Sequence, residues 1–110
     1  MTNGTITSST ALFEVGQIVH HRLFDYRGVV LDVDPDFQAG DAWYQKMARS
    51  RPPKDKPWYH VLVEDGEDAT YVAERNLEPA SDLGPISHSL LDRGLMRYED
   101  GRYVVERHLI

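Results

Sequence analysis

The chain of 110 residues contains no cysteine. That absence excludes a disulfide scaffold, a thiolate zinc site and a cysteine nucleophile, and it fits a reducing compartment. No stretch approaches the roughly 18–20 consecutive apolar residues that a membrane-spanning helix requires. Met1 to Thr10 carry neither the basic flank nor the apolar stretch of a secretory signal. The expected location is therefore cytoplasmic, with no membrane partner. Positive charge is in deficit, since 12 Lys and Arg face 18 Asp and Glu for a net charge of −6. Phosphate affinity comes from Lys and Arg displacing counterions, so the global charge argues against nucleic acid.

Catalytic signatures are missing too. Gly28, Gly40 and Gly66 read as isolated turn glycines and form no phosphate-cradling loop. No serine stands in a nucleophile elbow. His20, His21, His60, His88 and His108 show no helical i,i+4 pair and no carboxylate at ligand spacing. Were the first and third strands neighbours, His21 and His60 would approach each other. The carboxylate pairs Asp32/Asp34 and Glu64/Asp65 fall at expected strand ends, where solvation accounts for them. With no nucleophile, metal set or cofactor motif, the expectation is a non-enzymatic protein that needs no cofactor and no metal.

What is present points to one mainly β domain. The length suits a single domain with a modest core, and self-association into a homo-oligomer would help such a core. Val15 to His21 alternates with period two, Val19 and His21 on one face and Ile18 and His20 on the other, which predicts a strand. Phe24 to Gly28 reads as a turn into the β-branched run Val29 to Asp34, which Pro35 ends. The two segments predict a hairpin. Ala42 to Ala48 has the makings of a short helix with Asp41 as N-cap. Pro52, Pro53 and Pro57 forbid regular structure after it, which makes residues 35–57 a long loop of the kind that is often functional. Trp58 to Glu64 is the strongest strand, Asp65 to Asp68 a turn, and Ala69 to Ala73 the returning strand. Asn76 to Pro79 fits a last edge strand. The predicted architecture is a small SH3- or chromo-like β-barrel over 12–80, with a flexible tail at 1–11 and a C-terminal extension at 81–110. In that extension Leu83, Ile86, Leu90 and Leu91 suggest a docking helix starting near Ser87, and Asp100-Gly101 a hairpin turn. Docking on the barrel and an interaction tail ending in Leu109-Ile110 both fit.

These pieces resemble the HspQ heat-shock protein family, also described as YccV-like or hemimethylated-DNA-binding domains. The matching segments are Val15-Gly16 with Val19-x-His21, Tyr26-Arg27-Gly28-Val29-Val30 leading to Asp34-Pro35, Pro57 to Asp65 (with Trp58, Tyr59, His60 and Glu64), and Tyr71-Val72-Ala73-Glu74. They occur in the family's order over about residues 13–80. The resemblance implies a small barrel, no catalysis, and two roles: assisting a Lon-type ATP-dependent protease as specificity factor or adaptor for client proteins, and binding hemimethylated DNA. Gly16, His21, Tyr26, Arg27, Gly28, Trp58, Tyr59, His60, Glu64 and Asp65 are then mainly structural positions. The basic loop departs from many relatives, whose loop is more acidic.

In that loop Lys46, Arg49, Arg51, Lys54 and Lys56 face one acid, Asp55, and Trp43 and Tyr44 stand just before. Cations beside aromatics suit a phosphate-tracking, base-stacking surface. They suit an acidic protein surface equally, and a merely solvated loop as well. These seven residues are the candidate partner- or DNA-binding set. Alternation along the strand predicts that one of Trp58 and Tyr59 points inward and the other outward. The outward ring, with Trp43, Tyr44 or Tyr71, could then cage a methylated cation. The leading expectation is an HspQ-like adaptor of a Lon-type protease in the heat-shock response; DNA binding through residues 46–56 is the alternative, and peptide binding at an exposed strand edge the third.

Overall fold

The computed structural model describes residues 10–105. Most of the tail expected at 1–11, together with His108 and Leu109-Ile110, lies outside the described residues. In chain order the elements are β1 (Ile18–His21), β2 (Arg27–Asp34), α1 (Asp41–Met47), β3 (Trp58–Val63), β4 (Ala69–Ala73), β5 (Leu77–Pro79), α2 (Ser89–Asp92), β6 (Met96–Glu99) and β7 (Arg102–Val105), with one 3₁₀ turn, Glu74–Asn76, between β4 and β5. Strands β1 to β5 form one antiparallel sheet in the order β4-β3-β2-β1-β5, and β6 and β7 form a separate hairpin. The protein is mainly β and compatible with the SH3-like class, but its sheet does not close: β4 and β5 are its two edges.

Several local expectations shift by a few residues. β1 begins at Ile18 rather than Val15, because Gly16 takes φ +92° and breaks the extended path. A Cβ at Gly16 would lie 1.9 Å from the Tyr103 carbonyl oxygen, so only glycine fits. The first turn runs through Arg22 to Asp25, and Arg27 and Gly28 already belong to β2. Gly28 is therefore no turn glycine; a Cβ there would meet Val61 at 2.5 Å and the Leu62 carbonyl at 2.7 Å. Asp41 is the first helical residue and Gly40 the cap position, since the Asp41 carboxylate is drawn away to Lys54. The helix in the extension shrinks to Ser89–Asp92. It is capped by His88, whose Nδ1 accepts from the Leu90 N–H while Nε2 donates to the Asp68 carbonyl.

Trp58 and Tyr59 point to opposite faces, yet both are buried, at 2% and 0% exposure. The outward ring is covered because the sheet carries layers on both sides. Alternation assigns Val19, Val30, Tyr59, Val61, Val72 and Leu77 to the inner face, where they pack with Phe13. The outer face has two patches. Ile18, Val29 and Leu62 are covered by Ile86, Met96 and Tyr103 of the extension. Trp58 and Ala73 are covered by Tyr44 and Ala48, with Phe37, Trp43 and Tyr71 packed alongside. Residues 86–103 are thus part of the core.

Candidate binding site

The β1–β2 turn is built around His21, which is 3% exposed. Its Nδ1 accepts from the N–H groups of Leu23 (3.1 Å) and Phe24 (3.0 Å). An imidazole accepting at Nδ1 is neutral and carries its proton on Nε2. Burial, and then the neighbouring His20, push the His21 pKa down, in keeping with that form. The Phe24 ring stacks on His21 at 4.6 Å between centroids, and the half-buried Tyr26 packs behind it at 5.0 Å, its hydroxyl pushed up to about 12 by burial. Leu23 and Phe24 are nevertheless 58% and 73% exposed.

His20, on the opposite face of β1, does the reverse. Its Nε2 meets the Asp25 carboxylate at 2.6 Å and its Nδ1 meets Glu78 at 2.7 Å. Those two bonds, Asp25 first, raise its pKa. The protonated ring ties the turn to β5. His21 and His60 do not come together, because β2 lies between their strands and they occupy opposite faces. His60 instead meets Asp34 at 3.2 Å, and the Tyr71 hydroxyl donates to the same carboxylate at 2.6 Å. Burial, and then its bond to Asp34, raise the Tyr71 pKa.

The loop cations separate into two groups. Lys54 pairs with Asp41 at 2.9 Å and lies 4.4 Å over the Tyr44 ring. Arg51 donates to the carbonyls of Tyr44 and Ala48 at the end of α1. Both serve the loop's own structure. Tyr44 is buried, its hydroxyl donating to the Pro52 carbonyl at 2.7 Å. Trp43 is half-buried against Phe37, Trp58 and Tyr71. Phe37 lies within 6.0 Å of Trp43, Tyr44, Trp58 and Tyr71 and fills the space that a methyl-cation cage would leave open. The second group, Lys46, Arg49 and Lys56, is exposed. Lys56 shares a hollow with Arg22 and Arg75, whereas Lys46 and Arg49 border a groove of about 590 Å³.

That groove runs along β4. His21, Leu23 and Phe24 form one wall, Trp43, Lys46, Met47 and Arg49 the other, and Tyr71, Val72 and Ala73 line it between them. A contiguous hollow of about 200 Å³ extends it past Thr70 and Val63. Sequence reading found the cations but missed Leu23, Phe24 and Met47. Two exposed apolar residues in a turn carry no periodicity that would mark them.

Other motif positions make contacts within the fold. Arg27 donates to both oxygens of Glu64 (2.9 and 2.6 Å) and to the carbonyls of Asp82, Gly84 and Pro85. Glu64 is therefore more than a solvated strand end. The Asp65 N–H donates to the Ser87 carbonyl at 2.7 Å. The Tyr59 hydroxyl donates to Glu74 at 2.5 Å and accepts from the Phe13 N–H at 3.2 Å.

Residues 11–107 match the family model described as hemimethylated DNA-binding protein YccV like. The chain belongs to that family. The match runs past Ala80 and takes in the extension that Arg27 holds, so the YccV-like unit here includes the β6–β7 hairpin. Among the described residues, no helix is long and apolar enough to cross a membrane.

Proposed function

We propose that this YccV-like protein is a non-enzymatic cytoplasmic adaptor that binds polypeptide and alters the action of a Lon-type protease on its clients. The observation that carries the reading is the groove beside β4, with Leu23, Phe24 and Met47 exposed on its walls. A surface of this kind costs solubility and is kept where a partner covers it. The test is degradation of an unfolded Lon substrate with and without the protein. A change in rate or substrate choice that Phe24→Ser weakens is expected; no change at any concentration would retire the adaptor.

DNA binding is the second reading, favoured by the family's description and by the exposed cations Lys46, Arg49 and Lys56 with Arg22 and Arg75. Against it stand the net charge of −6 and the loss of Tyr44, Arg51 and Lys54 to internal contacts. About five phosphate contacts at most would give a salt slope near −4 to −5. Titration of hemimethylated, fully methylated and unmethylated duplexes at two salt concentrations decides it: preference for the hemimethylated duplex supports this reading, and equal weak affinity for all three removes it.

A further inference from the structure

β4 is a sheet edge with an open backbone. In its antiparallel pairing with β3, the Glu74 N–H bonds the Pro57 carbonyl, which continues the register Tyr59↔Val72 and Val61↔Thr70 as the hydrogen-bonded pairs. Tyr71, one residue out of phase, therefore turns its N–H and C=O away from β3, into the groove. Neither group has a partner among the described residues. His21, although buried, also lines the groove, and its Nε2 has no partner among the described residues.

We infer that this groove takes an extended peptide as a sixth strand against β4, and that the preferred peptide carries alternating apolar residues flanked by acidic ones. The inference rests on the polypeptide-binding reading and names its mode and its ligand. Strand addition supplies backbone bonds in a period of two, while alternate side chains enter pockets. Here one set of side chains meets Phe24, Met47 and Trp43. Lys46 and Arg49 stand at the rim without an ion-pair partner among the described residues, and Ala69 to Ala73 match a segment of about five residues, roughly 17 Å. Charge complementarity selects an acidic partner over the basic or neutral alternatives.

The probe is a fluorescein-labelled peptide, Asp-Asp-Val-Ser-Leu-Thr-Val-Ser-Asp-Asp, titrated with the full chain by anisotropy. Replacing its four Asp by Lys should weaken binding at least tenfold at low salt, with a smaller gap at high salt. N-methylating alternate backbone amides should weaken one of the two phases at least tenfold and spare the other. Phe24→Ser with Met47→Ser, and separately Lys46→Glu with Arg49→Glu, should each weaken binding about tenfold. All four residues are exposed, and an unchanged melting temperature verifies the fold. Binding insensitive to N-methylation in both phases, or unaltered by both double variants, overturns the inference. So does sedimentation showing that a second copy of the chain occupies the edge and excludes the peptide. Protease modulation by a wild-type chain that does not bind the peptide sinks this inference and leaves the adaptor standing; peptide binding without protease modulation does the opposite.

Discussion

The outer face of the sheet is covered twice, and the two covers are held differently. The C-terminal cover is fastened by directed bonds: the Arg27 fork, the Gly16–Tyr103 backbone pair, and the Tyr103 hydroxyl on the Ile86 backbone. The loop cover is held by rings packing on rings around Phe37, with Lys54 and Arg51 trimming its edges. The first ends with its apolar residues Ile86, Met96 and Tyr103 buried. The second stops short of the β1–β2 turn and leaves Met47 facing Phe24 across open space. The bonded cover buries its sheet-facing residues while Leu83, Leu95, Tyr98 and Val105 stay exposed, whereas the ring-packed cover leaves a groove at its margin.

The contrast breaks most readily at Arg27. Its side chain is 15% exposed and bonds a carboxylate and three carbonyls. Arg27→Ala leaves Glu64 and those carbonyls short of a donor and should cost about 2–4 kcal/mol in chemical denaturation. Arg27→Lys should recover less than half of that, because an ammonium cannot span both sides of the fork. If both substitutions cost under about 0.5 kcal/mol, the extension is held by apolar packing alone.

Trp43→Ala tests the other cover. It removes a half-buried ring that touches Phe37, Trp58 and Tyr71. The expected cost is about 1–2 kcal/mol, less than for a fully buried ring. Hydrogen exchange should rise across residues 37–58 while residues 86–103 keep their protection. Uniform loss of protection would mean that the two covers are one cooperative unit.

The smallest effect concerns the turn that forms the groove's far wall. The folded pKa of His20 is raised by Asp25 and Glu78, so its contribution is complete below the unfolded value near 6.5 and fades as pH rises through the folded one. That of His21 is lowered by burial, so its penalty grows as pH falls below about 6.5. The melting temperature should therefore climb as pH drops toward about 6.5 from above and decline further down. In His20→Gln the climb should vanish while the decline remains. A variant that retains the climb would show that the raised group lies elsewhere.

Much of the fold was legible in the sequence because strands announce themselves by period and punctuation. The β1–β2 and β3–β4 hairpins, the end of β2 at Pro35 and the turn at Asp100-Gly101 all follow from local chemistry. What was not legible depends on long-range contact. Burial of both Trp58 and Tyr59 needs the covers, and Gly28 is a glycine because Val61 crowds it. The division of the loop cations likewise depends on which of them find Asp41 or the end of α1. His88 caps a helix from a residue type seldom used there, so no local rule would have flagged it.

Arg27 reaches the segment 82–85 chiefly through main-chain oxygens. Its grip is indifferent to the identity of most side chains on that stretch and sensitive to the spacing of its peptide units. Substitutions between Ala80 and Ile86 should therefore cost less than adding or deleting a single residue, which would slide the carbonyls out of the guanidinium's reach and loosen the extension from the sheet.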